Sequence, residues 1–372
     1  MEKQIKICHL TSAHKADDIR IYHKECKFLA KNARFKIYLI AINSEEIYQD
    51  KVQVISVNCK YTNRTSRIVK AAYALYKKGL EINADIYHFH DPELLPYGLK
   101  LKRKGKFVIY DSHEDVPRQI LVKHWIPKNL RKIISLIFET FENYIAKKLS
   151  YIVASTPTIE NRYLKINPNS IAICNYPILK ENNILIPWES RKNEICYVGG
   201  ITVIRGINEL IKVMDKIPYR LNLAGSYSPL ILRDKLVSIR GWEKVNEFGQ
   251  IGRNEIIQLL NQSKIGIVTL HPKENYLESL PIKMFEYMHA GIPVIASNFP
   301  LWEKILTENK CGICVDPFNL NQIVEAIEYL FNNEAEAQMM GLNGRVAVTE
   351  KYNWETEVKK LENIYLNAII TK

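Results

Sequence analysis

Short apolar runs alternate with longer helical stretches along this chain, and the alternation occurs twice in succession. The pattern is typical of α/β domains, because parallel strands need a crossover helix between them. The sequence therefore predicts an α/β fold of two tandem Rossmann-like domains. Predicted strands are 5–10, 36–40, 52–57, 86–89, 107–110 and 151–154 in the first half, and 194–198, 220–224, 245–247, 265–268, 294–296 and 312–315 in the second.

A loop that contains two prolines separates the two series. It runs from Tyr176 to Glu194 and includes Pro177 and Pro187. A chain of 372 residues also exceeds the ordinary size of a single hydrophobic core. We therefore predict an N-terminal domain over 1–177, a C-terminal domain over 178–352, and a helix over 353–372 that packs back on the N-terminal domain. Ligands of such sheets bind outside the carboxyl ends of the strands, so the expected site is a cleft that both sheets face.

The excess positive charge is confined to the first half. Residues 1–177 hold 30 of the 52 Lys and Arg and 17 of the 40 Asp and Glu, which leaves 22 and 23 for residues 178–372. This imbalance predicts an anionic partner for the N-terminal half, either a membrane surface or a nucleic acid. The sequence has no helix-turn-helix, RNP or zinc-finger pattern, which disfavours nucleic acid.

Targeting and membrane-spanning patterns are not found. Charges at Glu2, Lys3 and Lys6 interrupt the first apolar run, unlike a signal peptide. The longest uncharged stretch, Tyr287–Trp302, contains two prolines and falls short of the roughly 20 apolar residues that cross a bilayer. The seven cysteines include no second pair at CxxC spacing, so no zinc site is predicted. The expected location is the cytoplasm, with peripheral attachment to the inner face of the cell membrane.

The segment 278–297 carries the most information about chemistry. Ser279 is predicted to cap a helix that Gly291 ends, and the helical rise places Glu278 and Glu286 about 12 Å apart. The free N–H groups of Ser279 and Leu280 at the helix start can receive a pyrophosphate. One carboxylate then binds sugar hydroxyls and the other a ribose diol. The alternative is a capped amphipathic helix with two solvated glutamates.

The same segment resembles the retaining glycosyltransferases of family 4, which have the GT-B architecture. The resemblance implies a nucleotide diphosphate sugar, UDP-linked, as donor and a glycan or lipid-linked saccharide as acceptor, as in bacterial surface polysaccharide synthesis. By resemblance, Glu278 contacts the transferred sugar as a catalytic residue and Glu286 holds the ribose. The matching residues are Glu278, Pro281, Lys283, Glu286–Met288, Ala290–Gly291, Pro293–Val294, Ala296–Ser297, Tyr197–Gly200, Arg205–Gly206, Leu223–Gly225, Asn343–Arg345 and Tyr352–Trp354.

A glycine pair follows the first strand of the second series. Gly199 and Gly200 let the backbone approach a phosphate, and Arg205 offers a planar fork of donors, unless it is an ordinary surface arginine. The resemblance implies two basic residues at the pyrophosphate. Arg205 matches the later one, whereas a glycine stands in place of the earlier. Lys283 or backbone amides are the predicted substitutes.

The first half carries the acceptor-side candidates. Asp17, Asp18 and Arg20 follow the first strand and are candidates for acceptor or phosphate contact, the alternative being a solvated turn that caps the next helix. His113 lies just past the strand 107–110, where the resemblance places a sugar-contacting, catalytic histidine; a structural loop histidine is the alternative. Paired histidines such as His88 and His90 are more often packing residues than metal ligands.

The resemblance implies that the sugar is transferred with retention of its anomeric configuration and without an enzyme nucleophile. The protein would stabilise the charge of the leaving nucleotide diphosphate. The sequence has no Asp-x-Asp motif, so we predict no metal and no cofactor. Two alternative functions stay open at this point. They are a GT-B-shaped sugar-nucleotide epimerase, which needs no acceptor, and a non-enzymatic basic protein that binds nucleic acid.

The surplus positive charge lies in three runs that contain no acidic residue, 60–78, 100–106 and 116–138. The third run also has Trp125 and the apolar stretch 133–138. This combination favours a segment that presses apolar groups into a bilayer interface beside anionic lipid. A solvated basic face is the alternative.

Overall fold

The computed structural model describes residues 4–60, 63–123, 125–179 and 184–370. The chain forms two compact units. The N-terminal unit comprises residues 1–175 together with 354–372, and the C-terminal unit comprises residues 176–353. Each unit contains one sheet, and the predicted α/β fold with two Rossmann-like sheets is confirmed.

The sheet of the N-terminal unit has eight strands in the order β3-β4-β2-β1-β5-β6-β7-β8. The β3–β4 pairing is antiparallel, and the other pairings are parallel. The strands are β1 (Ile5–Thr11), β2 (Phe35–Ile42), β3 (Ile47–Gln49), β4 (Val52–Val57), β5 (Ile86–Phe89), β6 (Phe107–Ser112), β7 (Tyr151–Ala154) and β8 (Ser170–Ala172).

The sheet of the C-terminal unit has six parallel strands in the order β11-β10-β9-β12-β13-β14. The strands are β9 (Glu194–Val198), β10 (Arg220–Ala224), β11 (Val245–Gly249), β12 (Ile265–Val268), β13 (Val294–Ser297) and β14 (Gly312–Val315).

Helices connect the strands of both sheets. A π-helix at Ile19–Cys26 continues into α1 (Lys27–Leu29). The further α-helices of the N-terminal unit are α2 (Arg64–Ile82), α3 (Leu95–Arg103), α4 (Val116–Val122), α5 (Lys128–Ala146) and α6 (Pro157–Leu164). The helices of the C-terminal unit are α7 (Ile207–Lys216), α8 (Leu232–Val237), α9 (Arg253–Gln262), α10 (Glu274–Leu277), α11 (Ile282–His289), α12 (Pro300–Glu308), α13 (Leu320–Asn332) and α14 (Glu334–Glu350); α15 (Trp354–Ile370) is the last described helix.

All twelve predicted strands are present, and their ends differ from the prediction by at most two residues. The two strands that were not predicted, β3 and β8, have three residues each. The residues of β3 are all exposed, so β3 lacks the apolar run by which a buried parallel strand is recognised.

Helix α11 is held on the sheet of the C-terminal unit by Tyr287. A Cβ atom on Gly266 of β12 would lie 2.3 Å from the Tyr287 ring, so only glycine leaves space for this ring. The Tyr287 hydroxyl accepts a hydrogen bond from the backbone N–H of Val198 at 3.0 Å. These contacts fix α11 beside the end of β9, where the glycine pair begins.

Helix α15 packs within the N-terminal unit, although it follows the C-terminal unit in sequence. The indole N–H of Trp354 donates to the carbonyl oxygen of Lys24 at 3.2 Å, and Glu357 accepts from the backbone N–H of Cys174 at 2.8 Å. Trp354 and Tyr365 are both fully buried. The last helix therefore completes the core of the first unit.

Candidate functional site

The start of α11 differs from the prediction. The helix begins at Ile282 with Pro281 at the N-cap position, so the assignment of Ser279 as the cap is wrong. Proline disfavours the helical region for the residue before it, which here is Leu280. The backbone N–H of Ser279 donates to the carbonyl oxygen of Tyr276 at 3.1 Å and is therefore not free. The end of the helix is as predicted, because Gly291 has a φ of 72° just past the helix.

Two glycines at the end of β9 leave space for two cations. Gly199 has a φ of 128°, in the region that favours glycine. A Cβ atom there would lie 2.9 Å from Lys283 Nζ, and a Cβ atom on Gly200 would lie 2.9 Å from Arg205 Nη1. The Arg205 guanidinium also donates to the carbonyl oxygen of Gly200 at 3.4 Å. Four predicted donor-binding residues are thus brought together: Gly199, Gly200, Arg205 and Lys283.

Lys283 is the most unusual member of this group. Its Nζ atom is shielded from solvent and has no hydrogen-bond partner among the described residues. The atom lies 3.8 Å from the centroid of the Tyr197 ring. Burial and the neighbouring Arg205 hold the pKa of the Lys283 ammonium well below its usual value, although Glu286 opposes this effect. An unpaired, shielded cation beside a second cation is an arrangement that an anion stabilises.

The two glutamates of the motif have different surroundings. Glu286 lies on the second turn of α11 and forms an ion pair with Arg253, the first residue of α9. Glu278 is exposed and lies at the C-cap position just after the short helix α10. The sequence analysis did not find Arg253, because it is 33 residues before Glu286 and no local pattern connects them.

The acceptor-side candidates of the N-terminal unit have different surroundings. Arg20 is buried, and it donates through Nε and Nη2 to the two carboxylate oxygens of Asp111 at 3.1 and 3.0 Å. Its Nη1 donates to the carbonyl oxygen of Ile173 at 2.9 Å. These contacts contradict the prediction that Arg20 meets an acceptor or a phosphate. Asp18 caps the π-helix by accepting from two backbone N–H groups, as the alternative described, and Asp17 is exposed.

His113 lies beside the same carboxylate. Its Nε2 atom is 3.0 Å from Asp111 Oδ2, and His90 Nδ1 is 3.2 Å from that oxygen. Burial raises the pKa of Asp111, but Arg20 and His113 lower it more, so the net pKa lies well below the usual value. Asp111 is therefore an ionised carboxylate that accepts hydrogen bonds from three side chains.

Behind His113 is a buried cluster that the sequence analysis missed in part. It contains His9, Glu25, His88 and His90, with no solvent exposure above 2%, and Tyr365 of α15 lies against it. Two sets have potential ligand atoms within 4.8 Å of one another: His9, Glu25, His88 and His90, and His90, Asp111 and His113. The absence of a metal and of a cofactor stays a prediction.

In the described part of the chain, no helix is both long and apolar enough to cross a membrane.

The C-terminal unit is similar to known proteins. Residues 182–347 match the family Glycosyl transferases group 1. An uncharacterized glycosyltransferase of Methanocaldococcus jannaschii is 26% identical over 206 residues, which are 51% of this chain and 52% of that protein. The chain thus spans about half of that relative. The O-antigen chain mannosyltransferase C of Escherichia coli is 22% identical over 291 residues, 77% of this chain and 76% of the relative.

Solved structures agree on the fold. A crystal structure of Anabaena HepE in complex with UDP and glucose has a TM-score of 0.73 at 12% identity, over 98% of this chain and 100% of that chain. The two Rossmann-like sheets and this likeness to glycosyltransferase structures assign the chain to the GT-B fold. The similarity to the Glycosyl transferases group 1 family thus covers residues 182–347 of this chain.

Proposed function

We propose that this protein is a retaining glycosyltransferase that moves a sugar from a UDP-linked donor to a glycan or lipid-linked saccharide. The observation that carries the proposal is the pair of cations, Lys283 and Arg205, over the two glycines at the end of β9. A diphosphate would supply the anion that the shielded Lys283 ammonium lacks. The UDP in the HepE structure supports the choice of base, and the O-antigen mannosyltransferase supports a saccharide acceptor.

In this proposal Glu286 holds the ribose, and Glu278 and His113 contact the transferred sugar. Ser279 and Leu280 keep a proposed place near the donor, but the Ser279 N–H would have to release Tyr276 before it could bind a phosphate. The residues Lys283 and Arg205 would stabilise the charge that develops on the leaving diphosphate, which is the main contribution a protein can make without a nucleophile of its own.

The decisive measurement is binding of UDP, GDP and inorganic pyrophosphate to the full chain by calorimetry, followed by turnover of UDP-sugars. We expect UDP to bind and to raise the melting temperature, since a ligand of the folded state stabilises it. Tight binding of GDP and weak binding of UDP would show that the donor is GDP-linked. Conversion of the donor to another sugar nucleotide without an acceptor would identify an epimerase, and absence of binding by all three compounds would refute the proposal.

We also propose that the N-terminal unit binds an anionic membrane surface through α5. The exposed face of this helix is apolar: Leu130, Ile133, Ile137, Phe141 and Tyr144 recur at helical spacing and are all exposed, with Ile137 at 64%. The buried residues of α5 are Ser135, Glu142, Ile145 and Ala146. The exposed side of the helix is thus an apolar stripe without protein cover among the described residues.

Basic and aromatic residues adjoin this stripe. Lys128 and Lys132 are exposed on α5, and Trp125, 66% exposed, precedes the helix with the Lys123 ammonium 5.5 Å from its ring. Cations beside exposed apolar groups fit an anionic lipid surface, where each basic residue contributes roughly 1 kcal/mol to the free energy of binding. A lipid-linked saccharide acceptor would then lie in the same membrane surface that the enzyme binds.

The test is co-sedimentation with vesicles of phosphatidylcholine alone or mixed with phosphatidylglycerol. The parent should bind the mixed vesicles, and a variant with Ile133, Ile137 and Phe141 changed to Ser should lose most of this binding. Leu230→Ser with Ile231→Ser is the matched control, because both residues are exposed and apolar but lie in the C-terminal unit. Equal binding of the α5 variant and the parent would refute the membrane proposal.

A further inference from the structure

A chain of close polar contacts runs from His113 into the core of the N-terminal unit. His90 Nε2 is 3.0 Å from His9 Nδ1, and His9 Nε2 is 3.3 Å from the Tyr365 hydroxyl. The same hydroxyl is 2.6 Å from His88 Nδ1. His113 and His90 meet at Asp111, where their facing nitrogens are 3.1 Å apart because both approach the same oxygen. The relay thus connects His113, Asp111, His90, His9, Tyr365 and His88.

Ionised Asp111 fixes the direction of every hydrogen bond in this relay. A carboxylate only accepts, so His90 Nδ1 and His113 Nε2 must both carry hydrogen. Neutral His90 then has a bare Nε2, which requires hydrogen on His9 Nδ1. His9 Nε2 is bare in turn and accepts from the Tyr365 hydroxyl, whose oxygen accepts from His88 Nδ1. Each imidazole therefore has one tautomer that satisfies its neighbours.

The surroundings keep these imidazoles neutral. Burial lowers the pKa of His9 and His88 well below the usual value and lowers that of His90 to about 4. Among the described residues, Glu25 is the carboxyl group within 4 Å of all three rings, at 3.8–3.9 Å from a nitrogen of each. Burial and the nearby Asp111 raise the pKa of Glu25 well above its usual value, although Arg20, 3.2 Å from its carboxylate, opposes this effect.

We infer that Tyr365 is a positioning residue for His113, acting from the last helix through His9 and His90. Its hydroxyl holds the hydrogen of His9 on Nδ1, which keeps His90 donating to Asp111. Asp111 then holds the Nε2 hydrogen of His113 and leaves His113 Nδ1 as a hydrogen-bond acceptor. The consequence for catalysis rests on the proposed function: with hydrogen held on Nε2, His113 would present Nδ1 to a hydroxyl of the transferred sugar.

The tautomers can be read directly by long-range ¹H–¹⁵N NMR of the full chain labelled with ¹⁵N-histidine, since protonated and bare ring nitrogens resonate apart. The parent should show hydrogen on Nδ1 of His9, His88 and His90 and on Nε2 of His113. Tyr365→Phe removes only the hydroxyl and should move the ring signals of His9, His88 and His90. Tyr87→Phe is the matched control, because Tyr87 is equally buried and its hydroxyl bonds only backbone groups of Gly79 and Ala84.

In a transfer assay, Tyr365→Phe should lower turnover several-fold and leave the Kd for UDP unchanged, whereas Tyr87→Phe should change neither. Hydrogen on Nε2 of His90 in the parent would overturn the inference, even if the Tyr365 variant does not fold. The inference would also be overturned if His9 Nδ1 and His90 Nε2 both lacked hydrogen and metal analysis found a bound divalent ion. A metal site would then explain the cluster. Failure of all donors to turn over would refute the proposed function while the NMR result still decides the relay.

Discussion

Replacing Lys283 by Met should raise stability and weaken donor binding in the same variant. The Nζ atom of Lys283 is shielded and has no hydrogen-bond partner among the described residues, so an apolar side chain of similar length removes a desolvation cost of about 1–3 kcal/mol. The contact of Nζ with the Tyr197 ring offsets about 1 kcal/mol of this gain. The melting temperature of the C-terminal unit should therefore rise by a few degrees.

Binding should change in the opposite direction. A hydrogen bond between charged partners contributes about 1.5–3 kcal/mol, so the Kd for UDP should increase roughly 10- to 150-fold in Lys283→Met. Binding should also take up protons. The pKa of Lys283 is lowered in the free protein, and a diphosphate raises it, so the affinity should fall as pH rises through the free-protein pKa.

Calorimetric titration with UDP at a series of pH values, each in two buffers of different ionisation enthalpy, measures this uptake. The parent should take up a fraction of a proton that Lys283→Met does not. Lys283→Arg is the control, because a guanidinium stays charged and should bind UDP without uptake. The reasoning is refuted if Lys283→Met binds UDP as tightly as the parent, or if it is less stable.

Further predictions concern the motif, the histidines and pH. Glu286→Gln should weaken UDP binding several-fold in calorimetry and release Arg253 from its ion pair; unchanged binding would reject the ribose assignment. His113→Ala should reduce transfer while the Kd for UDP stays near normal, and an equal loss of both would indicate a structural role. Acidification to pH 5.5 should destabilise the N-terminal unit, because burial lowers the pKa of His90 to about 4 while the unfolded chain takes up this proton near pH 6.5. The free energy of unfolding should fall by about 1.4 kcal/mol because of this residue. The variant His90→Gln should lack this part of the pH dependence.

The sequence predicted the sheets well because parallel strands buried on both faces are continuous apolar runs, as in β12 and β13. It predicted the end of α11 because Gly291 needs a positive φ. The start of α11 was misplaced, since Ser279 satisfies its polar groups through the turn at Tyr276 instead of capping the helix. Local pattern cannot distinguish these two uses of a serine.

Site residues that depend on distant pairing were the least predictable. Arg20 was predicted as a candidate for acceptor or phosphate contact, but its partner in the structure is Asp111, 91 residues away. Tyr365 reaches His88 across 277 residues, and no spacing rule relates them. Lys283 was named as a substitute for a missing basic residue, and its proximity to Gly199 became evident only when the space above that glycine was known.

The return of α15 to the N-terminal unit sets an order of assembly during synthesis. Residues 176–353 are complete before the final 19 residues of the chain exist, so the C-terminal unit has all its strands while the first unit still lacks Trp354 and Tyr365. Vectorial synthesis usually lets the first domain fold first. Here the second unit can finish earlier, and the histidine relay closes last, when Tyr365 leaves the ribosome. A nascent chain therefore contains Lys283 and Arg205 before it contains Tyr365, whose hydroxyl contacts His88 and His9.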